Sequence, residues 1–124
     1  MGLGFCSAIS NVGLASAQMP LPEAKPPDGA ALFKQQCATC HSTNVSDAPR
    51  QGPTLVRIVG RQAGKVEGFH YSPGLAQGGF SWDESRLDAW LTDPQAVIPG
   101  AIMTYRQTRA ETRAAIITYL KGLN

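Results

Sequence analysis

The sequence predicts an all-α fold of a few helices joined by long loops, and three observations predict it. Ser81-Trp82-Asp83-Glu84 and Thr108-Arg109-Ala110-Glu111 each have the form of a capping box standing before an apolar stripe of helical period. A further helical face follows Asp28, where Gly29, Phe33, Cys37 and Cys40 recur at spacings of four, four and three. Between these helices, Gly60 to Gly79 holds six glycines and Pro73, a composition of sharp turns rather than sheet.

The first 17 residues stand apart from this pattern. From Gly2 to Ala17 there is no charged side chain, and Ala15-Ser16-Ala17 fits the small-residue cleavage site of a secretory signal. Residues 1–17 are therefore expected to be a leader, possessing no basic start and in that respect resembling a truncated one, and the mature protein is expected in the periplasm. Residues 18–27, with Pro20, Pro22, Pro26 and Pro27, read as an extended linker. The folded domain is expected to span 28–124.

That domain is small and balanced in charge. The whole chain of 124 residues accommodates one domain at most, and 43% hydrophobic with 16% charged residues describes an ordinary soluble globular protein. The formal net charge is +2 with no run of Lys or Arg, which argues against a nucleic-acid partner. The mature chain offers no stretch long and apolar enough for a membrane span, and a monomer is expected. No carboxylate cluster, phosphate-binding Gly loop or Ser/His/Asp ordering stands out. Chemistry, if present, is expected to come from a cofactor.

The first helix carries that cofactor's signature. Cys37-Ala38-Thr39-Cys40-His41 has the spacing of a c-type haem attachment site, in which two thiols add to the porphyrin vinyl groups and the adjacent imidazole becomes a ligand of the iron. The same motif also serves as a redox dithiol or as half of a zinc site. Removal of the leader takes Cys6 away, leaving one pair of thiols, too few for an all-thiolate zinc site; a mixed one would need His41, His70 and a carboxylate. A thioredoxin-like dithiol would be flanked by alternating strands and helices, which are missing here.

After a polar loop from Ser42 to Gln51 comes Gly52-Pro53-Thr54-Leu55. The Pro53 carbonyl is a free acceptor of the kind a ligating His needs for its second ring N–H, although spacing alone favours a simple Gly-Pro turn. Leu55 to Val59 is a short apolar run that periodicity assigns to neither helix nor strand. The Gly-rich segment that follows contains Arg61, His70 and Tyr71, and so long an irregular stretch in a small domain is expected to wrap something.

The next helix is expected to start at Ser81, to bury Leu87, Trp90 and Leu91, and to close at Asp93-Pro94. The last is expected to open at Thr108 and bury Thr112, Ile116, Tyr119, Leu120 and Leu123. Pro99-Gly100 between them supplies a rigid turn before Met103, whose thioether suits an axial position beside His and would raise the potential of haem iron. On its own Met103 reads more readily as a packing residue than as a ligand. His70 competes for the same position, but its Gly-rich surroundings favour a surface or propionate-facing role.

Taken together these residues resemble the class I cytochromes c over about residues 28–124. The resemblance rests on Gly29 and Phe33, the 37–41 motif, Gly52-Pro53-Thr54-Leu55, Gly60-Arg61-Gln62-Ala63-Gly64, Gly68-Phe69-His70-Tyr71, Trp82, Pro99-Gly100 and Met103. It implies the class I fold, a few helices with long loops wrapped around one haem c bound through Cys37 and Cys40. It further implies His41 and Met103 as axial ligands and the Pro53 carbonyl as acceptor of the His41 ring proton. Arg61, Tyr71 and Trp82 would face the haem propionates, and Trp90 would stand beside the Met ligand. Gly29 and Phe33 would meet the C-terminal helix near Ile116 and Tyr119.

The implied function is one-electron shuttling between respiratory or dehydrogenase partners, by a carrier and not an enzyme. The alternatives are a dedicated cytochrome subunit of a dehydrogenase or oxidase complex, and a haem peroxidase, which would need a distal acid–base group such as His70. Gln95, Ala96 and Ile102 depart from the lysine-rich loop of mitochondrial members, which points to apolar docking around the haem edge rather than strong electrostatic steering. Ser72-Pro73-Gly74-Leu75 also departs from the mitochondrial pattern.

Overall fold

The computed structural model describes residues 1–4, 13, 25, 27–48 and 50–123. Most of the expected leader and linker lies outside the described residues. The order of elements is α1 (Gly29–Gln36), α2 (Pro73–Ala76), α3 (Glu84–Thr92), α4 (Pro94–Val97) and α5 (Ala110–Lys121). Among the described residues the only β-type pairing is an isolated antiparallel bridge between Gln62 and Ser81, so the fold is all-α as the sequence predicts. None of these helices is long and apolar enough to cross a membrane.

Helix α1 starts where the sequence places it. The Asp28 carboxylate accepts from the Ala30 and Ala31 N–H groups at 3.0 and 3.4 Å, satisfying donors that have no partner inside the helix. It ends earlier than the spacing of its apolar face suggests. Phe33 O accepts from both Cys37 and Ala38, and Cys37 O from both Cys40 and His41, so the regular ladder gives way to turns at residues 37–40. The two thiols are thus presented by tight turns and not by one continuous helical face.

The pairing of α1 with α5 depends on a missing side chain. A Cβ at Gly29 would lie 2.2 Å from Ala115 O and 3.0 Å from Tyr119 Cβ, so only glycine lets the two helices approach this closely. One turn along, the Phe33 and Tyr119 rings meet with centroids 5.2 Å apart, and Ile116 is fully buried. Thr112, Ile116, Ile117 and Leu120 form the buried face of α5, with Tyr119 and Leu123 packed at its margin. Ile117 is an addition to the face read from the sequence.

Two helix starts differ from the capping boxes. Asp83, not Ser81, caps α3, accepting from Arg86 N–H at 2.7 Å. Residues 80–82 are instead bonded across to 60–63, through Gly60 N to Trp82 O (2.6 Å), Trp82 N to Arg61 O (2.8 Å) and Ala63 N to Phe80 O (2.8 Å). Their extended backbone leaves Ser81 no helix to cap. Helix α5 likewise begins at Ala110, with Arg109 at the N-cap position and no side-chain cap, while Gln107 Oε1 accepts from Arg109 N–H at 3.0 Å.

The bonds from 60–63 to 80–82 close the Gly-rich segment into a loop whose ends are side by side. Within it lies the single turn α2, opened by Pro73 at N1 and capped by Ser72, where the sequence suggested irregular chain throughout. Gly64 has φ of 74°, and a Cβ there would be 2.3 Å from Leu75 O, so the loop packs on itself through that glycine. Asp93-Pro94 closes α3 as expected and also opens α4, because Asp93 accepts from Gln95 N–H at 3.1 Å and Pro94 occupies N1.

Candidate functional site

Helices α1, α3 and α5, the 51–61 loop, the Gly-rich loop and the segment before α5 surround a cavity of about 380 Å³. Its walls are largely apolar, with Leu55, Ile58, Leu87, Leu91, Ile116 and Leu120 among them. Cys37, Cys40, His41, Pro53, Arg61, Tyr71, Trp82 and Met103 all line it. These eight come from segments spread over most of the domain. His70 is exposed and does not line the cavity.

The two thiols form no disulfide; Cys37 is buried and Cys40 partly exposed. Burial, reinforced by the neighbouring Cys40, pushes the Cys37 thiol up to about 11. A redox dithiol attacks through a thiol whose pKa is lowered, and burial shifts Cys37 in the opposite direction. Among the described residues no three His, Cys, Asp or Glu side chains cluster as a metal site, which leaves the zinc alternative without a ligand set there.

His41 is held in a defined state. Its Nδ1–H donates to Pro53 O at 2.8 Å, which leaves Nε2 with a free lone pair in the neutral ring. Burial holds the imidazole below its usual range; the Pro53 bond opposes this shift, and the Arg61 charge adds to it. The ring lies against Gly52, where a Cβ would be 2.3 Å from Cε1 and 2.6 Å from Nδ1. Gly52-Pro53 is therefore more than a turn: glycine admits the ring and proline's carbonyl orients it. Gly52 N–H in turn donates to Cys40 O at 2.7 Å, tying the loop to the motif.

Met103 receives a bond from the Trp90 indole, whose Nε1–H lies 3.2 Å from the sulfur. Trp90 stacks edge-on to Trp82 at 5.4 Å, and Trp82 to Phe80 at 5.0 Å, with the Arg86 guanidinium 4.5 Å above the Phe80 ring. This aromatic column runs from the surface to the cavity wall. On another wall, Arg61 Nη1 donates to Val56 O at 2.9 Å and the Tyr71 hydroxyl accepts from Val66 N–H at 3.2 Å. A half-buried guanidinium and a phenol are groups able to receive buried carboxylates.

Polar residues given no role from the sequence also border the cavity, notably Gln36, Gln51 and Tyr105, as does Ser72 of the segment that departs from the mitochondrial pattern. Gln51 Oε1 accepts from the Cys40 thiol at 3.2 Å. Gln36 and Tyr105 bond to one another across 69 positions of sequence, a relationship no local pattern announces.

A haem c fits this donor set. Two thiols outside any disulfide, a neutral imidazole with one nitrogen free and a thioether all border one apolar cavity. Comparison with known proteins agrees. Residues 27–124 match the family model described as cytochrome c. The chain is 37% identical over 102 residues to cytochrome c of Theileria annulata, covering 82% of this chain and 88% of the relative. It is 38% identical over 96 residues to cytochrome c2 of Rhodomicrobium vannielii, covering 77% and 76%. With cytochrome c-550 of Novispirillum itersonii it shares 38% identity over 104 residues, 75% of this chain and 94% of the relative. Fold, cavity and sequence together establish that the chain belongs to the cytochrome c family, the small all-helical carriers of single electrons.

Proposed function

We propose that this cytochrome holds one haem c through thioether bonds at Cys37 and Cys40, with His41 and Met103 as axial ligands, and passes electrons between redox proteins in the periplasm. The observation that carries this reading is the convergence of both thiols, His41 and Met103 on one apolar cavity. A haem in that cavity supplies an iron that alternates between ferrous and ferric states.

The chain's own residues have distinct tasks in this reading. Pro53 fixes the tautomer and tilt of His41. Trp90 orients the Met103 sulfur, which retains a second lone pair for the metal. Leu55, Leu87, Leu91 and Ile116 exclude water, keeping the dielectric low around a centre whose charge changes by one. Arg61, Tyr71 and Trp82 would receive the propionates. His41 and Met103 would both hold the iron, and the group they hold would supply electron exchange rather than substrate binding, which suits a carrier.

The exposure of His70 weakens a peroxidase reading, since it was the acid–base candidate. Ile102 is 68% exposed while also bordering the cavity, which supports apolar docking at that edge by an oxidase, reductase or dehydrogenase. Residues 1–17 act as an export leader in this reading.

The test is covalent attachment. Protein purified from a periplasmic fraction should retain its haem through acid-acetone extraction, and a peptide containing 37–41 should carry the added mass of one haem. Replacing Met103 with Ala should abolish the weak far-red iron–sulfur band. Extractable haem would refute the attachment, and an unchanged band would move the ligand role away from Met103. N-terminal sequencing checks the leader, with Gln18 as the expected first residue.

A further inference from the structure

The segment carrying Met103 is fixed on both sides by glutamine side chains. Before it, Gln95 spans the turn: its Nε2 donates to Ala101 O and its Oε1 accepts from Gly100 N–H at 3.1 Å. After it, exposure alternates strictly, with Ile102, Thr104 and Arg106 exposed and Met103, Tyr105 and Gln107 partly buried. That period of two places Met103, Tyr105 and Gln107 on the same inward side of an extended segment.

Two of these three inward residues end on one atom of α1. The Tyr105 hydroxyl donates to Gln36 Oε1, and Gln107 Nε2 donates to the same oxygen at 3.0 Å while approaching the Tyr105 oxygen at 3.4 Å. Gln36 is the last residue of α1 and immediately precedes Cys37. Gln107 is itself anchored, because its N–H donates to Leu91 O at 2.7 Å and its carbonyl accepts from Arg113 Nη1 at 3.0 Å. Arg113 is held in turn by Asp88 at 2.7 Å.

We infer that Gln36, Tyr105 and Gln107 form a latch tying the Met103 segment to the end of α1, and that this latch sets how readily an outside nitrogen ligand displaces the Met103 sulfur. The inference rests on the ligand assignment proposed above. Displacement requires the segment around Met103 to move away from the cavity, and Tyr105 is the first inward residue after Met103 to resist that movement. Gln36 Oε1 is the shared point, so removing it releases both donors. Removing the Tyr105 hydroxyl releases one.

The experiment is imidazole titration of the ferric holoprotein, read by loss of the far-red iron–sulfur band. Tyr105→Phe should raise imidazole affinity roughly fivefold, the loss of one hydrogen bond. Gln36→Leu should raise it more, on the order of tenfold or above, for two. The double variant should bind imidazole no more tightly than Gln36→Leu alone, because both changes act through the same oxygen. Amide hydrogen exchange across 102–107 should accelerate in the single variants.

Gly29→Ala separates the latch from general weakening, since it loosens α1 against α5 without touching Gln36 or Tyr105. Its imidazole affinity should match the parent's. Unchanged affinity in both Tyr105→Phe and Gln36→Leu would overturn the latch, as would an equal increase in Gly29→Ala. A parent protein lacking the far-red band would overturn the Met103 assignment beneath it, an outcome visible before any imidazole is added.

Discussion

The indole N–H of Trp90 points at the sulfur of Met103 from 3.2 Å, and Trp90 is itself buried to 7% exposure. In the proposed role of Met103 as an iron ligand, a sulfur that accepts this bond would be a poorer electron donor, which would disfavour ferric iron relative to ferrous and raise the potential. Trp90→Phe keeps an aromatic ring and removes the donor. A bond of about 1 kcal/mol corresponds to roughly 40 mV in a one-electron couple, so the potential should fall by tens of millivolts with the far-red band retained. An unchanged or higher potential, measured by spectropotentiometry, would contradict this account of Trp90.

Gly52 and His41 give a second prediction. An added methyl at Gly52 would meet three atoms of the imidazole ring at 2.3 to 2.8 Å, so the ring must tilt and its bond to Pro53 O must break. Gly52→Ala should lower the yield of haem-loaded protein and reduce stability by about 2 to 3 kcal/mol, combining overpacking with a lost hydrogen bond. Haem content per chain and the thermal midpoint check it. Full loading with an unaltered midpoint would mean that the ring has room the structure does not show.

Gly29 tests the helix pair that closes the fold. Alanine in a helix is favoured over glycine by about 0.5 to 1 kcal/mol, but here its methyl would lie 2.2 Å from Ala115 O. Backbone cannot retreat as a side chain can, so overpacking of about 1 to 3 kcal/mol or more should win. Denaturant unfolding of Gly29→Ala should show a net loss of roughly 1 to 2 kcal/mol by that comparison. A stabilised variant would show that α1 and α5 slide apart freely.

Much of this was legible in the sequence, and the illegible part has a common cause. The 37–41 motif stood out because haem attachment demands particular residue types at a fixed spacing, Pro53 and Met103 stood out only through the family resemblance, and all of them border one cavity. The buried stripe Leu87, Trp90 and Leu91 was readable from its period. The starts of α3 and α5 were not, because Ser81 and Thr108 carry capping signatures where tertiary bonds decide the backbone: Trp82 is paired to Arg61 and Gly60. Asp83, the acidic residue just before Glu84, was the available signal for the true cap. The bonds from Gln36 to Tyr105 and Gln107 span 69 and 71 positions, and glutamine has no pattern that marks a partner so distant.

Alkaline stability offers a test of the Gly-rich loop. Burial raises the Tyr71 phenol above its usual value, against the opposing effects of the Val66 N–H and the Arg61 charge. The folded state therefore holds this proton more tightly than the unfolded state. The corresponding stability is fully present below the unfolded value near pH ~10 and is lost as pH rises through the folded one. Denaturant midpoints measured from about pH 9 to 11.5 should fall less steeply in Tyr71→Phe than in the parent. Identical slopes would mean that Tyr71 is as solvated in the fold as in the unfolded chain.

The central claim is that one haem, held by Cys37 and Cys40 and ligated by His41 and Met103, makes this chain a carrier of single electrons. A spectropotentiometric titration of the purified holoprotein tests it most directly. The account predicts a single reversible transition with the Nernst slope of one electron, the far-red iron–sulfur band being present in the oxidised form and lost on reduction. A two-electron slope, or an oxidised form without that band, would contradict it.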